Sequence, residues 1–147
     1  MSDVIDVEVG EPGSFTPGTA RERTRELLRA TAPGDVSPRG SADHCETALL
    51  VVSELVTNAV KHGRGVAAMR FRWQGPCLRI EVSDYAASAP AVLAESADRE
   101  GGRGMSIVSA LCEDWGVRHR SHDLATGGKT VFATLRFRDA GVGEWPA

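Results

Sequence analysis

Four groups of residues in this chain have side chains able to do chemistry at spacings that would let them act together. Glu54, Asn58 and His62 stand four residues apart, and Lys61 adjoins the last of them. On a helix that spacing brings the tips to one side. The row would hold a carboxylate able to take a proton, an amide oxygen able to ligate a hard cation, and basic groups. The plain alternative is the solvated side of an amphipathic helix, and spacing alone leaves both open. Asp84 closes the run 77–84 and shares parity with Leu78, Ile80 and Val82. A carboxylate aimed at a core is costly unless it is paired. Either Asp84 turns out of the strand end and caps a loop, or it is a buried acceptor for a ligand N–H such as an exocyclic amine. Gly101-Gly102-Arg103-Gly104 opens into Met105-Ser106-Ile107-Val108. Glycines ahead of a helix let backbone N–H groups approach an anion, and Arg103 could add a phosphate contact. A simple hinge is the other reading. Gly127-Gly128-Lys129-Thr130 looks like the end of a P-loop, but position 123, where the earlier glycine belongs, is Asp, and a β-branched, aromatic run follows instead of a helix.

Positioning these groups requires particular elements. Residues 45–63 read as a helix with Cys45, Ala48, Leu49, Val52, Leu55, Val56, Ala59 and Val60 as its core stripe. Ser41 or Asp43 would cap its start, and Gly63 would stop it. A strand at 4–9 and a helix at 18–32 precede it. Residues 66–73 place Ala67, Met69, Phe71 and Trp73 on one face, Gln74-Gly75-Pro76 turns, and 77–84 alternates again, which predicts an antiparallel hairpin. Residues 85–104 have no clean period, and a stretch of that length is usually a functional lid or disordered. A helix at 105–113, a strand at 114–120 and a strand at 130–137 complete the chain. In the last strand Thr130 shares parity with Phe132, while Val131, Ala133, Leu135 and Phe137 share the other; which face meets the helices is left open. The pattern is α+β, with helices on one face of a sheet.

Composition narrows the class. The 147 residues suit one domain. A hydrophobic share of 41% and a charged share of 25% are ordinary for a globular protein. A net charge of −3 argues against a nucleic-acid binder and a polybasic membrane anchor. Cys45, Cys77 and Cys112 are scattered, with neither a Cys-x-x-Cys pair nor zinc spacing, and read as reduced thiols of a cytoplasmic protein. The acidic start lacks the pattern of a signal peptide, and no apolar run approaches membrane-spanning length.

Taken in order, the motifs resemble a known family. Glu-Leu-Val-Thr-Asn-Ala-Val-Lys-His-Gly (54–63) resembles the N-box of the histidine-kinase-like ATPases, the Bergerat fold. Glu-Val-Ser-Asp (81–84) with Pro90 looks like the acidic box that follows. Gly-Arg-Gly-Met-Ser-Ile-Val (102–108) is similar to the second glycine box, and Gly-Lys-Thr-Val-Phe-Ala-Thr-Leu (128–135) to the closing strand. The spacing resembles the stand-alone branch of anti-sigma factor serine/threonine kinases. The resemblance implies a two-layer α/β sandwich with a mixed, mostly antiparallel sheet. The resemblance covers about residues 15–137, so the chain divides into an N-terminal segment at 1–14 with an edge strand read from its alternation, the ATP-binding domain at 15–138, and a terminal tail at 139–147 expected to be flexible.

The family roles fall on matched positions. Glu54 would be the catalytic base toward a serine hydroxyl, and Asn58 would supply its amide oxygen to Mg²⁺. Asp84 would accept from the adenine amine, residues 85–101 would be the ATP lid, and Gly102 and Gly104 would let it approach the phosphates. Thr130 would line the adenine pocket, and Lys61, His62, Ala86, Arg103 and Met105 complete the implied ATP-binding set. Ala86 stands where the family often has glycine. The implied activity is phosphorylation of an antagonist protein alternating with sequestration of a sigma factor; a non-catalytic ATP-binding module that regulates a partner is the alternative. A homodimer is expected, without direct contact to nucleic acid or membrane. The length leaves no room for phosphoacceptor helices, so His44, His62, His119 and His122 are not expected to carry phosphate.

Overall fold

The computed structural model describes residues 3–11, 13–31, 42–86, 100–119 and 128–137. These form β1 (Asp3–Val7), α1 (Pro17–Thr31), α2 (Ala42–His62), β2 (Val66–Gln74), β3 (Cys77–Asp84), α3 (Glu100–Leu111), β4 (Asp114–His119) and β5 (Lys129–Arg136). The sheet has the order β1-β2-β3-β5-β4. Each of the described pairings is antiparallel, so the expected mixed sheet is wholly antiparallel here. The α+β sandwich is as the hydrophobic periods predict. The expected cap at Ser41, the middle of the expected lid (87–99), most of the loop before β5 and the tail at 139–147 lie outside the described residues.

Each element forms for local reasons. Thr16 caps α1 by accepting the Thr19 N–H at 3.1 Å, and Pro17 fills the first helical position, where no N–H is needed. The inner face of β3 buries Leu78, Ile80 and Val82, with Phe71 beside them on β2 and Val131 and Ala133 on β5. Val52, Leu55 and Val56 of α2 close over that face. Burying each such side chain is worth about 1.5–3 kcal/mol. Alpha2 is flanked by α1 and α3, so the helices form one layer. Arg21 of α1 donates to Ser53 Oγ of α2 at 3.0 Å.

Four local expectations change. Alternation places Ala67 inward, but the register slips between Val66 and Ala68, and Val66 is the buried residue. The extra residue of a β-bulge reverses parity on one side of itself. Val60 is exposed rather than in the core stripe. It lies two turns beyond Ser53, the residue that Arg21 near the start of α1 contacts. The third helix starts at Glu100, not 105, and ends at Leu111, not 113. Met105 and Val108 are buried in the core that α2 shares, and the helix extends backward from that anchor through the glycines. Finally, α2 ends directly before Gly63 as expected, but Gly63 does not supply the left-handed turn of the cap. Arg64 (φ 67°) and Gly65 (φ 106°) take that conformation, and the N–H groups of Gly63 and Gly65 both bond to the Ala59 carbonyl.

Candidate functional site

The sequence-predicted polar row lies on α2 as its spacing requires. Asn58 is buried, Glu54 one turn earlier is half-buried, and Lys61 and His62 are exposed in the last turn. The Asn58 Oδ1 atom is inaccessible and finds no hydrogen-bond partner among the described residues. Leaving a buried acceptor unpaired costs about 1–3 kcal/mol, so this oxygen is the clearest unfilled valence of the row. Among the described residues no three His, Cys, Asp or Glu side chains gather into a metal cage. A cation held here would rest on the amide, with its other ligands supplied by a bound molecule and water. That arrangement suits Mg²⁺ in a phosphate site, because Mg²⁺ keeps few protein ligands.

Asp84 is 1% exposed, so the buried reading of its parity is the one the structure takes. Its Oδ1 accepts the Ala86 N–H at 3.0 Å, and its Oδ2 accepts from Lys129 Nζ at 2.7 Å. Gly63 packs directly on the carboxylate, and a Cβ at that position would fall on the Asp84 oxygen. The Gly63 carbonyl accepts the Tyr85 N–H at 2.9 Å. The end of α2 and the end of β3 are thus fastened on both sides of Asp84. Glycine is needed at 63 because a carboxylate occupies the space of its side chain.

Thr130 does not share this site. It pairs across from Ser83, and the two hydroxyls meet at 2.7 Å on the outer face of the sheet. A cavity of about 400 Å³ opens on that face between Asp6, Arg70, Glu81, Ser83, Arg118 and Thr130, away from α2. The residue of β5 that reaches Asp84 is Lys129. Sequence reasoning had set Lys129 aside with the failed P-loop match. Its signal was parity: Lys129 shares the buried parity of Val131, Ala133 and Leu135, as Asp84 shares that of Val82. Two opposite charges at matching inward positions of neighbouring strands predict a pair.

The remaining sites divide. Ala86 and Met105 are buried. Gly102, Arg103 and Gly104 lie within the first turns of α3 rather than ahead of it. The backbone N–H groups of residues 100–103 are the four that a helix leaves without internal acceptors. Such an end favours an anion. The α2 row and Asp84 belong to the helix-side layer, with the start of α3 on the helix that flanks α2.

No described helix is long and apolar enough to cross a membrane. A family model described as histidine kinase-like ATPase domain matches residues 17–135. That span takes in α1 through all but the last residue of β5 and leaves out β1. No curated protein matches the chain.

Proposed function

The chain belongs to the histidine kinase-like ATPase family, and from that premise we propose that it is an ATP-dependent serine/threonine kinase of the anti-sigma type. On this reading it phosphorylates an antagonist protein and, in its other state, sequesters a sigma factor. The observation that carries the nucleotide site is the buried Asn58 oxygen one turn from Glu54, which finds no partner among the described residues. Asn58 would hold Mg²⁺, which when bound neutralises charge on the phosphates. The open amides at the start of α3 would hold phosphate oxygens. Asp84 and its neighbours would receive the base.

Glu54 would accept the proton of the target hydroxyl as that oxygen bonds to the γ-phosphorus and the bond to the bridging oxygen breaks, releasing ADP. Glu54 is half-buried, which leaves its carboxylate open to a partner's side chain. The experiment is incubation of the full chain with labelled ATP and small proteins encoded beside its gene. Transfer of label to one of them, lost in Glu54→Ala while ATP binding persists, is the expected result. ATP binding without transfer to any of them, and no effect of Glu54→Ala, would leave a non-catalytic regulatory module in its place.

A further inference from the structure

Beta3 and β5 end side by side, and each carries a charge on its inner face there. Asp84 lies directly across from Lys129 in the register. Their ion pair is 2.7 Å long, and both side chains are 1% exposed. An ammonium has three N–H donors. Among the described residues Asp84 Oδ2 is the acceptor that Lys129 reaches. The remaining donors belong to a side chain nearly closed to water, where an unpaired polar hydrogen is costly. The carboxylate, in contrast, already receives bonds on both oxygens. At this point the protein therefore offers spare donors beside an occupied acceptor, the reverse of a lone carboxylate.

Resting on the reading that Asp84 marks where a purine docks, we propose that Lys129 sets base selectivity and lets the site take 6-oxopurine nucleoside triphosphates as well as ATP. Adenine presents an amine donor and an adjacent ring-nitrogen acceptor. Hypoxanthine presents a carbonyl acceptor and an adjacent N–H donor. A lone buried carboxylate satisfies the first and repels the carbonyl of the second. A carboxylate beside an ammonium has a partner for each: the amine or ring N–H donates to Asp84, and the ring nitrogen or carbonyl accepts from Lys129.

The test is calorimetric titration of the full chain with ATP and with inosine triphosphate, for the natural protein and for Lys129→Met. The natural protein should bind the two within about tenfold of each other. Lys129→Met should lose inosine triphosphate by ~10–100-fold more than ATP: both lose a bond from Lys129, but only the carbonyl is then left facing a bare carboxylate, a cost of the size of an unsatisfied buried acceptor. A merely structural ion pair would move both affinities together. A natural protein that binds ATP but rejects inosine triphosphate by about a hundredfold or more overturns the proposal and leaves the ATP site standing, as does an unchanged ratio in the variant. Failure to bind either nucleotide overturns the nucleotide-site reading and this proposal with it. If circular dichroism shows that Lys129→Met does not fold, the ratio in the natural protein decides.

Discussion

The most consequential residue is Lys129, because its ammonium is what makes a buried carboxylate tolerable. Removing one partner of such a pair leaves an uncompensated charge in the interior, at a cost of about 3–5 kcal/mol. Lys129→Met should therefore lower the urea midpoint strongly, whereas Arg70→Met, which breaks the exposed pair with Asp6, should change it by no more than about 1 kcal/mol. Parallel urea titrations of the two variants check the contrast. Cysteine 112 supplies a separate effect with a definite sign. Burial pushes its thiol up to about 12 from an ordinary 9.0. Above 9.0 the unfolded chain releases this proton and the folded chain does not. Its contribution to stability is therefore full below 9.0 and falls as the pH rises toward about 12. Midpoints measured across that window should decline less steeply in Cys112→Ala.

Among the elements, α2, β3 and β5 do the positioning, and each was legible in the residue pattern as an element by itself. The apolar stripe from Cys45 to Ala59 fixed the helix, and strict alternation in Leu78, Ile80 and Val82 fixed the inner face of β3 and put Asp84 on its parity, leaving open whether Asp84 turns out at the strand end. What was not legible came from contacts between elements. Thr130 and Lys129 are adjacent in sequence and point to opposite faces, and only the Asp84–Lys129 register decides which one meets the helices. The close approach of Gly63 to Asp84 is also tertiary, since a glycine at a helix end is read locally as a cap. Two glycines should therefore respond differently to alanine. At Gly63 the new methyl meets a carboxylate locked by Lys129 and Ala86; at Gly116 it meets the far edge of the Phe132 ring, which is half-buried. We expect Gly63→Ala to cost about 1–3 kcal/mol, in the range of overpacking, and Gly116→Ala to cost less, because a ring tip can swing while a paired carboxylate cannot. Thermal melts of the two variants give the order.

At the scale of the whole molecule, the sheet has two unlike faces. The inner one carries the apolar core and the Asp84–Lys129 pair; the outer one bears Arg79 at 4.0 Å over the Phe132 ring, the Ser83–Thr130 hydroxyl pair and the cavity beside Arg118. The matched span begins at α1, yet β1 pairs with β2 from Asp3↔Trp73 to Val7↔Met69. The folded unit is therefore larger than the recognisable domain, and its first strand belongs to the sheet. The overall α+β class followed from hydrophobic period alone, because period determines which face of each element seeks cover. The strand order did not, because β3 and β5 become neighbours across an intervening helix and strand. The irregularity in β2 has an outcome for chain length. Val66 stands opposite Asp84 and Ala68 opposite Ser83, with Ala67 between them facing no partner of its own. Excising Ala67 would splice Val66 to Ala68 and leave an uninterrupted ladder with each side chain on its present side. Shortening a strand by one residue ordinarily turns part of it inside out; here the shortened protein should still unfold in a single cooperative transition, as calorimetry would record.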